Sequence, residues 1–492
     1  MFPSALSSAE WVGSAAKLPG LLAAVPGQVP WASEGYPGLD VGLLAACLAL
    51  LLPAGLIMIA AGSSDESKAP TVAAVGIAAM ALGVLAYALV GFGFQFGGLG
   101  LISDLEGAAN LVAEWSPLDL AWGSGWGLIG LDGFFLHGAW AEQEVVVVVM
   151  YNSVLAATAL CIPLLALARR FGFSVLLGLG LFFSVLIYPI YGNWLWGGGF
   201  LSQLGATEGL GHGLVDFAGS GGIHALGAFF ALAAILAFRP GEPKDGVLPG
   251  LPPVHFPLMA VAGAFLALVG WFGVMLANPL VGAVVSYPQV MLNLLAAASA
   301  GALVSSLYVW LVTGTPDLLM VMRGVVSALV TISASCPFVS AWAALALGAL
   351  AGLFLPLSIY LLETRLGLGD SAASVAVHGL PGLWGLVAVG LFANGSNGRG
   401  WNGVGAQQYL GVPGQGVSGL LAGAGFQPDW PGQMIAQLLG TLALLALSLG
   451  LCWAVLRGVE EFARRAKAVN AEAESSVGLP AEESQRDSVE EP

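Results

Sequence analysis

Charge is what this chain is poorest in. Only 9% of its 492 residues are Asp, Glu, Lys or Arg, while 58% are hydrophobic. A soluble domain carries roughly 25% charged residues, so most of the surface must face something other than water. Cysteine is scarce as well. Cys47, Cys161, Cys336 and Cys452 stand singly in or beside apolar runs. With no CxxC or CxxH spacing, neither a disulfide framework nor a zinc site is indicated, and the four read as small buried hydrophobes. Nucleophile–base motifs, metal clusters and phosphate-binding loops are missing, which argues against a membrane enzyme. No cofactor site is visible. The net charge of -15 resides mostly in ends and loops and offers nothing to nucleic acid.

What the chain has in abundance is long apolar runs, several beyond the ~20 residues that span a bilayer. The ~10-residue alternating segments of a transmembrane barrel are absent. The fold class is therefore an all-α polytopic membrane protein. Eleven spans are expected, near 40–62, 71–94, 144–168, 172–191, 211–238, 256–277, 289–312, 318–335, 340–362, 372–393 and 433–457, the eighth being short. They divide the chain into an N-terminal segment 1–39, an eleven-helix domain 40–457 and an acidic C-terminal tail 458–492. The apolar stretch after Lys17 is short and broken by Pro26, a poor signal peptide; a loosely structured extramembrane segment fits it better.

Basic residues set the orientation. With the N-terminus outside, the cytoplasmic segments hold Lys68, Arg169, Arg170, Arg239, Lys244, Arg365, Arg457, Arg464, Arg465, Lys467 and Arg486. The outer segments hold only Lys17 and Arg399, and Arg323 falls inside the eighth span. A missed span would scatter the later basic residues to both sides. The N-terminus is thus expected outside and the C-terminus in the cytoplasm. The outer loop 95–143 carries Glu106, Glu114, Asp119 and Asp132; it reads as a solvated loop, at most a mild attractor of cations.

Ionisable groups at membrane depth are expensive and usually functional or paired. Five qualify: Asp216, His224, Arg323, Asp370 and His378. They hold a pattern, because Asp216 precedes His224 by eight residues and Asp370 precedes His378 by eight. The fifth and tenth spans run in opposite directions. Eight helical residues rise about 12 Å, which would carry both histidines toward mid-membrane from opposite faces. Spans one to five and six to ten then form an inverted 5+5 repeat plus one, a plan that places sites at the repeat interface. Two neutral imidazoles in contact can share a proton and offer a chain of hydrogen-bonding sites. The plainer alternative is two packing histidines bonded to backbone carbonyls. Gly219, Gly221, Gly222 and Gly227 around His224, and Gly379, Gly382 and Gly385 after His378, permit the two helices to cross closely.

The remaining candidates have bland readings beside the functional ones. Asp216 can cap a helix start or draw a cation to the outer mouth; Asp370 reads the same way on the inner side. Trp196 can hold a cation or anchor at the interface. Ala344, Gly348 and Gly352 make a small face on the ninth span, read as plain packing.

Trp196-Gly197-Gly198-Gly199, Asp216-Phe217-Ala218-Gly219 with His224, Asp370, and Val377-His378-Gly379 together resemble the Amt branch of the Amt/Rh ammonium transporters. So does Ala166-Leu167-Ala168-Arg169-Arg170 closing the third span. The resemblance implies a homotrimer with one pore per subunit, ammonium or methylammonium as the moved molecule, and a cytoplasmic regulatory protein of the PII type as a partner. It implies recruitment at the outer mouth beside Trp196, with Asp216 below, and a proton and ammonia relay along His224 and His378. Departures are equally specific. The two outer-gate phenylalanines correspond to Leu155 and Val274, which suggests a wider gate. The recruitment serine corresponds to Asn278, Tyr151 stands for another mouth aromatic, and Ala373 replaces an acidic residue. Arg323 occupies a small-residue position. Facing the pore it would repel ammonium; facing the protein it could pair with Glu363 or Asp370, which the cost of an unpaired buried Arg favours.

The function expected is ammonium or ammonia conduction through a twin-histidine apolar pore. The alternatives are an ammonium sensor with little flux, which the lost phenylalanines and Arg323 would suit, and a channel for another small neutral solute, which a wider gate would suit. Ligand-dependent capture of a cytoplasmic partner would mark the first alternative, and a liposome flux panel the second.

Overall fold

The computed structural model describes residues 39–102, 107–116, 127–137, 142–238, 256–277, 285–365 and 374–476. Among the described residues, ten helices are long and apolar enough to cross a membrane: α1 Val41–Gly62, α2 Ala69–Leu101, α3 Gln143–Leu167, α4 Phe173–Glu208, α5 Ser220–Phe238, α6 Pro257–Leu276, α7 Tyr287–Thr313, α9 Ala341–Leu362, α10 Ser374–Phe392 and α11 Gly432–Val469. The eighth expected span is the shorter apolar helix α8, Leu318–Ser333. Asp317 starts it by accepting from the Leu319 and Met320 N–H groups, the side-chain cap that an exposed helix start needs. The last helix does not stop at 457 but continues as far as Ser476.

With lipid as apolar as leucine, such helices associate by close packing at small residues. α1 and α6 do so along their length. A Cβ on Gly55 would lie 2.5 Å from both the Ala267 nitrogen and the Gly263 carbonyl oxygen, so backbone meets backbone with no side chain between. The same device joins α7, α8 and α9. A Cβ on Gly352 would stand 2.6 Å from the Gly301 carbonyl oxygen, and one on Gly301 would stand 2.5 Å from that of Gly324. The small face of the ninth span is thus a packing face against α7.

α3 is the central helix, buried nearly from end to end. Its last turn leads to Arg169, whose Nη2 lies 2.9 Å from Asp65 Oδ2 in the turn between α1 and α2. This bridge marks one face of the protein. The opposite face is a folded cap built from two short antiparallel ladders, β1 (Glu114–Trp115) with β2 (Ile129–Gly130) and β3 (Gln408–Tyr409) with β4 (Val412–Pro413). Asn402 donates to the carbonyls of His212 and Leu214, and Asn397 to that of Pro337. The Gly- and Gln-rich segment after α10 is therefore tied down onto the helices.

One expected element is corrected. The fifth span was placed at 211–238, but its helix begins at Ser220. Residues 211–219 are buried yet mostly irregular, turned by positive φ at Gly211, Gly213 and Gly219. Irregular backbone is tolerated at such depth only where protein surrounds it and satisfies it. Gln437 does so for Val215, accepting from its N–H and donating to its carbonyl.

Candidate functional site

Asp216 organises the entry to α5. Its Oδ1 accepts from the N–H groups of Gly219 and Ser220 at 2.8 and 2.9 Å, and its Oδ2 from those of Gly221 and Gly222 at 2.8 and 2.9 Å. The first turns of a helix have no internal partners for these donors, and one carboxylate takes four of them. The residue is fully buried. This is the capping reading, with both oxygens engaged. Any pull on a cation at the mouth is left to the field of the carboxylate rather than to contact.

The cap launches a wide, π-helical turn, Ser220–Ala225, in which the His224 N–H donates to the Gly219 carbonyl at 3.1 Å. Such turns are rare and recur at functional sites. The Ser220 hydroxyl donates to the Val330 carbonyl at 2.6 Å and accepts from the Ala334 N–H at 2.7 Å. The start of α5 is thereby pinned to the end of α8. α10 crosses at the same level, since a Cβ on Gly385 would lie 2.5 Å from both Ser220 Oγ and the Thr331 carbonyl oxygen.

These contacts bring His224 and His378 together. Their rings stack at 5.0 Å between centroids and 8° between planes. Face-to-face stacking replaces the edge-to-edge hydrogen bond that a shared proton would need: neither nitrogen of His224 nor Nδ1 of His378 has a hydrogen-bond partner among the described residues. The cause is visible on the far side of His224, where Trp271 of α6 stacks at 5.2 Å and 21°. The indole N–H of Trp271 donates to Ser333 Oγ, and Ser333 to the Leu329 carbonyl. A three-ring stack results, clamped at one end by α8. Trp271 was not singled out from the sequence. A Trp beside Phe272 between two glycines was the available signal, but its neighbour across the bundle was not legible.

The remaining expected residues fall as follows. Trp196 ends the first part of α4; its indole N–H donates to the Asp216 carbonyl at 2.8 Å. A Cβ on Gly222 would meet the Trp196 ring at 2.9 Å, so the indole lies over the α5 turn and its partial exposure is one-sided. Tyr151 is buried, its hydroxyl donating to the Val274 carbonyl at 2.9 Å. Leu155 and Val274 are buried as well, so the two gate positions are packed and Tyr151 ties their helices together. Asn278, Asp370 and Ala373 lie outside the described residues. Arg323 is buried and lines a cavity of about 30 Å³ together with His378, Ser374, Val326, Ile59 and Ile162.

Comparison with known proteins gives the family and the fold. The profile of the Ammonium Transporter Family matches residues 41–482. Ammonium transporter Amt2 of Archaeoglobus fulgidus is 35% identical over 360 residues, 72% of this chain and 71% of that one. Among solved structures, one described as a sensor Amt protein superposes with a TM-score of 0.67 at 24% identity, covering 86% of this chain and 93% of the other. Mep2 of Candida albicans gives 0.65 at 20% identity, with 85% of each chain covered. At those identities the two structures speak for the fold.

Proposed function

We infer, for a chain that belongs to the ammonium transporter family, that ammonium is collected beside Trp196 and crosses the membrane as ammonia past His224 and His378. The observation that carries this route is the buried pair of parallel imidazoles, in which both nitrogens of His224 and Nδ1 of His378 meet no hydrogen-bond partner among the described residues. A neutral imidazole edge offers one donor and one acceptor, which suits a molecule that is itself both. The surroundings are aliphatic: the cavity that begins at His378 is walled by Ile59, Ile162, Val326 and Val377. Ammonium would hand its proton to water above this zone, because a bare cation gains little from such a lining.

The remainder of the reading follows the sequence. The face that carries the Asp65–Arg169 bridge is the cytoplasmic one, with the N-terminus on the other side, in a plasma membrane. The spans α1–α5 and α6–α10 form inverted halves, to which the backbone contact between their first helices, α1 and α6, lends support. The protein works as a homotrimer with one passage per subunit, and its cytoplasmic end after 457 is where a regulator of the PII type would dock. Asn278 and Asp370 keep the roles of mouth acceptor and inner cap.

Uptake of ammonium or methylammonium in transport-deficient cells tests the route. Wild-type protein that reaches the membrane and restores uptake supports it. A His224→Ala/His378→Ala double variant that keeps full uptake would sink it.

A further inference from the structure

A histidine that the route does not use sits against the cap. His212 lies between α4 and α5 and is fully buried. The polar groups that reach it serve its backbone. Gln433 Oε1 accepts from the His212 N–H at 2.8 Å, while Gln433 Nε2 donates to the Gly213 carbonyl. Asn402 donates to the His212 carbonyl at 2.8 Å. The imidazole receives nothing comparable: neither of its nitrogens has a hydrogen-bond partner among the described residues. Its neighbour is the ring of Tyr409 on β3, 4.5 Å away between centroids and tilted by 59°. The stretch before α5, the segment after α10 and the start of α11 thus converge on one unpartnered ring.

A neutral imidazole left without partners costs about 1–3 kcal/mol for each unsatisfied group. An imidazolium costs more, because burial penalises the charge; it pushes the His212 value from 6.5 down to about 3. The surrounding titratable groups are committed or distant in kind. Tyr409 gives its hydroxyl to Asp429 Oδ2, which engages that carboxylate. Asp216 fills both oxygens with backbone N–H groups. Glu208, at the end of α4, and Arg399, in the segment after α10, are exposed. A proton therefore reaches His212 when Tyr409 and Asn402 move off it and water moves in.

We propose that His212 is a proton-sensitive latch: uncharged, it holds the segment after α10 against residues 211–215, and acid on the cap side favours an opened arrangement in which the imidazole is hydrated and protonated. The proposal does not depend on what crosses the membrane. It bears on the site because Val215 leads directly into Asp216, whose carboxylate carries the turn that places His224. The closed state binds fewer protons at His212 than the opened one. Its stability is complete above the ordinary value of 6.5 and is lost as the pH falls below it. Asp429 has the opposite sign, and its ordinary value of 3.8 lies well below this window.

Hydrogen exchange on the purified full chain in detergent tests the latch. Protection is corrected for the intrinsic pH dependence of amide exchange and read over 209–216 and 401–417, with α3 as the internal reference. Between about pH 7.5 and about pH 5.5 wild type should lose protection about tenfold in both stretches, the effect of one proton taken up on opening, while α3 stays protected. His212→Phe keeps a ring against Tyr409 without a titrating group and should show no such loss; His212→Asn serves as a second non-titrating variant should the Phe form aggregate. Asp429→Asn should retain the loss. Protection that stays level or rises in wild type, as it would if a charged His212 paired with Asp429, overturns the latch. An equal loss in the non-titrating variants, or one shared by α3, overturns it too.

Discussion

His224 and His378 present ring faces to each other, 5.0 Å apart and within 8° of parallel, and Trp271 covers the outer face of His224. A stack of this kind holds each imidazole by its faces and leaves the edges to the passage. An aromatic pair contributes roughly 0.5–1.5 kcal/mol beyond its buried area, enough to fix ring orientation. Replacing Trp271 by Leu should therefore lower transport several-fold, about what 1 kcal/mol implies, while His224 stays in place. Uptake per molecule at the membrane measures it. Full uptake in Trp271→Leu would show that the stack does not orient His224.

Asp216 serves four backbone N–H groups at once. Asparagine offers one acceptor oxygen and turns the other position into a donor, which faces two N–H groups. Asp216→Asn should cost about 3 kcal/mol or more, on the basis of roughly 1.5–3 kcal/mol for each hydrogen bond to a charged group. The expected outcome is a lower unfolding temperature in detergent and less protein at the membrane. A variant as stable as wild type would mean that the π-helical turn supports itself.

In the cap that holds β3 and β4 the Tyr409 hydroxyl donates to Asp429 Oδ2 at 2.8 Å. Burial pushes the Asp429 carboxyl above its ordinary value of 3.8, against the opposing pull of the Tyr409 hydroxyl and the Gln433 N–H. A carboxyl whose value is raised on folding binds its proton more tightly in the folded state. Its contribution to stability therefore grows as the pH falls through the folded value, and is complete below the unfolded one. Asp429→Asn keeps an acceptor for Tyr409 and carries no charge. Its unfolding temperature should exceed that of wild type at pH 7, and the gap should close in acid. Parallel pH–melting curves of the two proteins decide the point; a gap that widens in acid would reverse the sign.

Gly55 has backbone of α6 where a side chain would be. Gly55→Leu cannot be absorbed by a rotamer change, because the neighbouring atoms are the Ala267 nitrogen and the Gly263 carbonyl oxygen. Overpacking of this sort costs about 1–3 kcal/mol or more. Loss of monodisperse protein on size-exclusion chromatography is expected, and Gly55→Ala should be milder.

How much of this was legible in the sequence depends on the distance over which each feature is determined. A span announces itself within about 20 residues, so ten spans and the short α8 were readable, as was the Asp–His spacing. The start of α5 was not. Residues 211–219 continue the apolar run of α5 through Leu214, Val215, Phe217 and Ala218, and their irregular path is satisfied by Gln437, more than 200 positions away in the chain. The stacking of Trp271 on His224 was hidden for the same reason, since it joins α6 to α5 across the bundle. Arg323 was visible as an expensive residue, but a helix position alone does not say which neighbour a side chain faces. The partner of the Tyr151 hydroxyl, the Val274 carbonyl, was hidden too, because it lies on another helix.

The contact between α1 and α6 bears finally on speed. Where two backbones touch at Gly55 and Gly263, one helix cannot slide past the other without first separating from it. A cycle in which whole halves rock, on the scale of microseconds to milliseconds, would have to open this seam each time. The parts that remain free to move are side chains, whose rotations take picoseconds to nanoseconds. A passage that leaves this seam closed should quicken on warming only as gently as diffusion quickens.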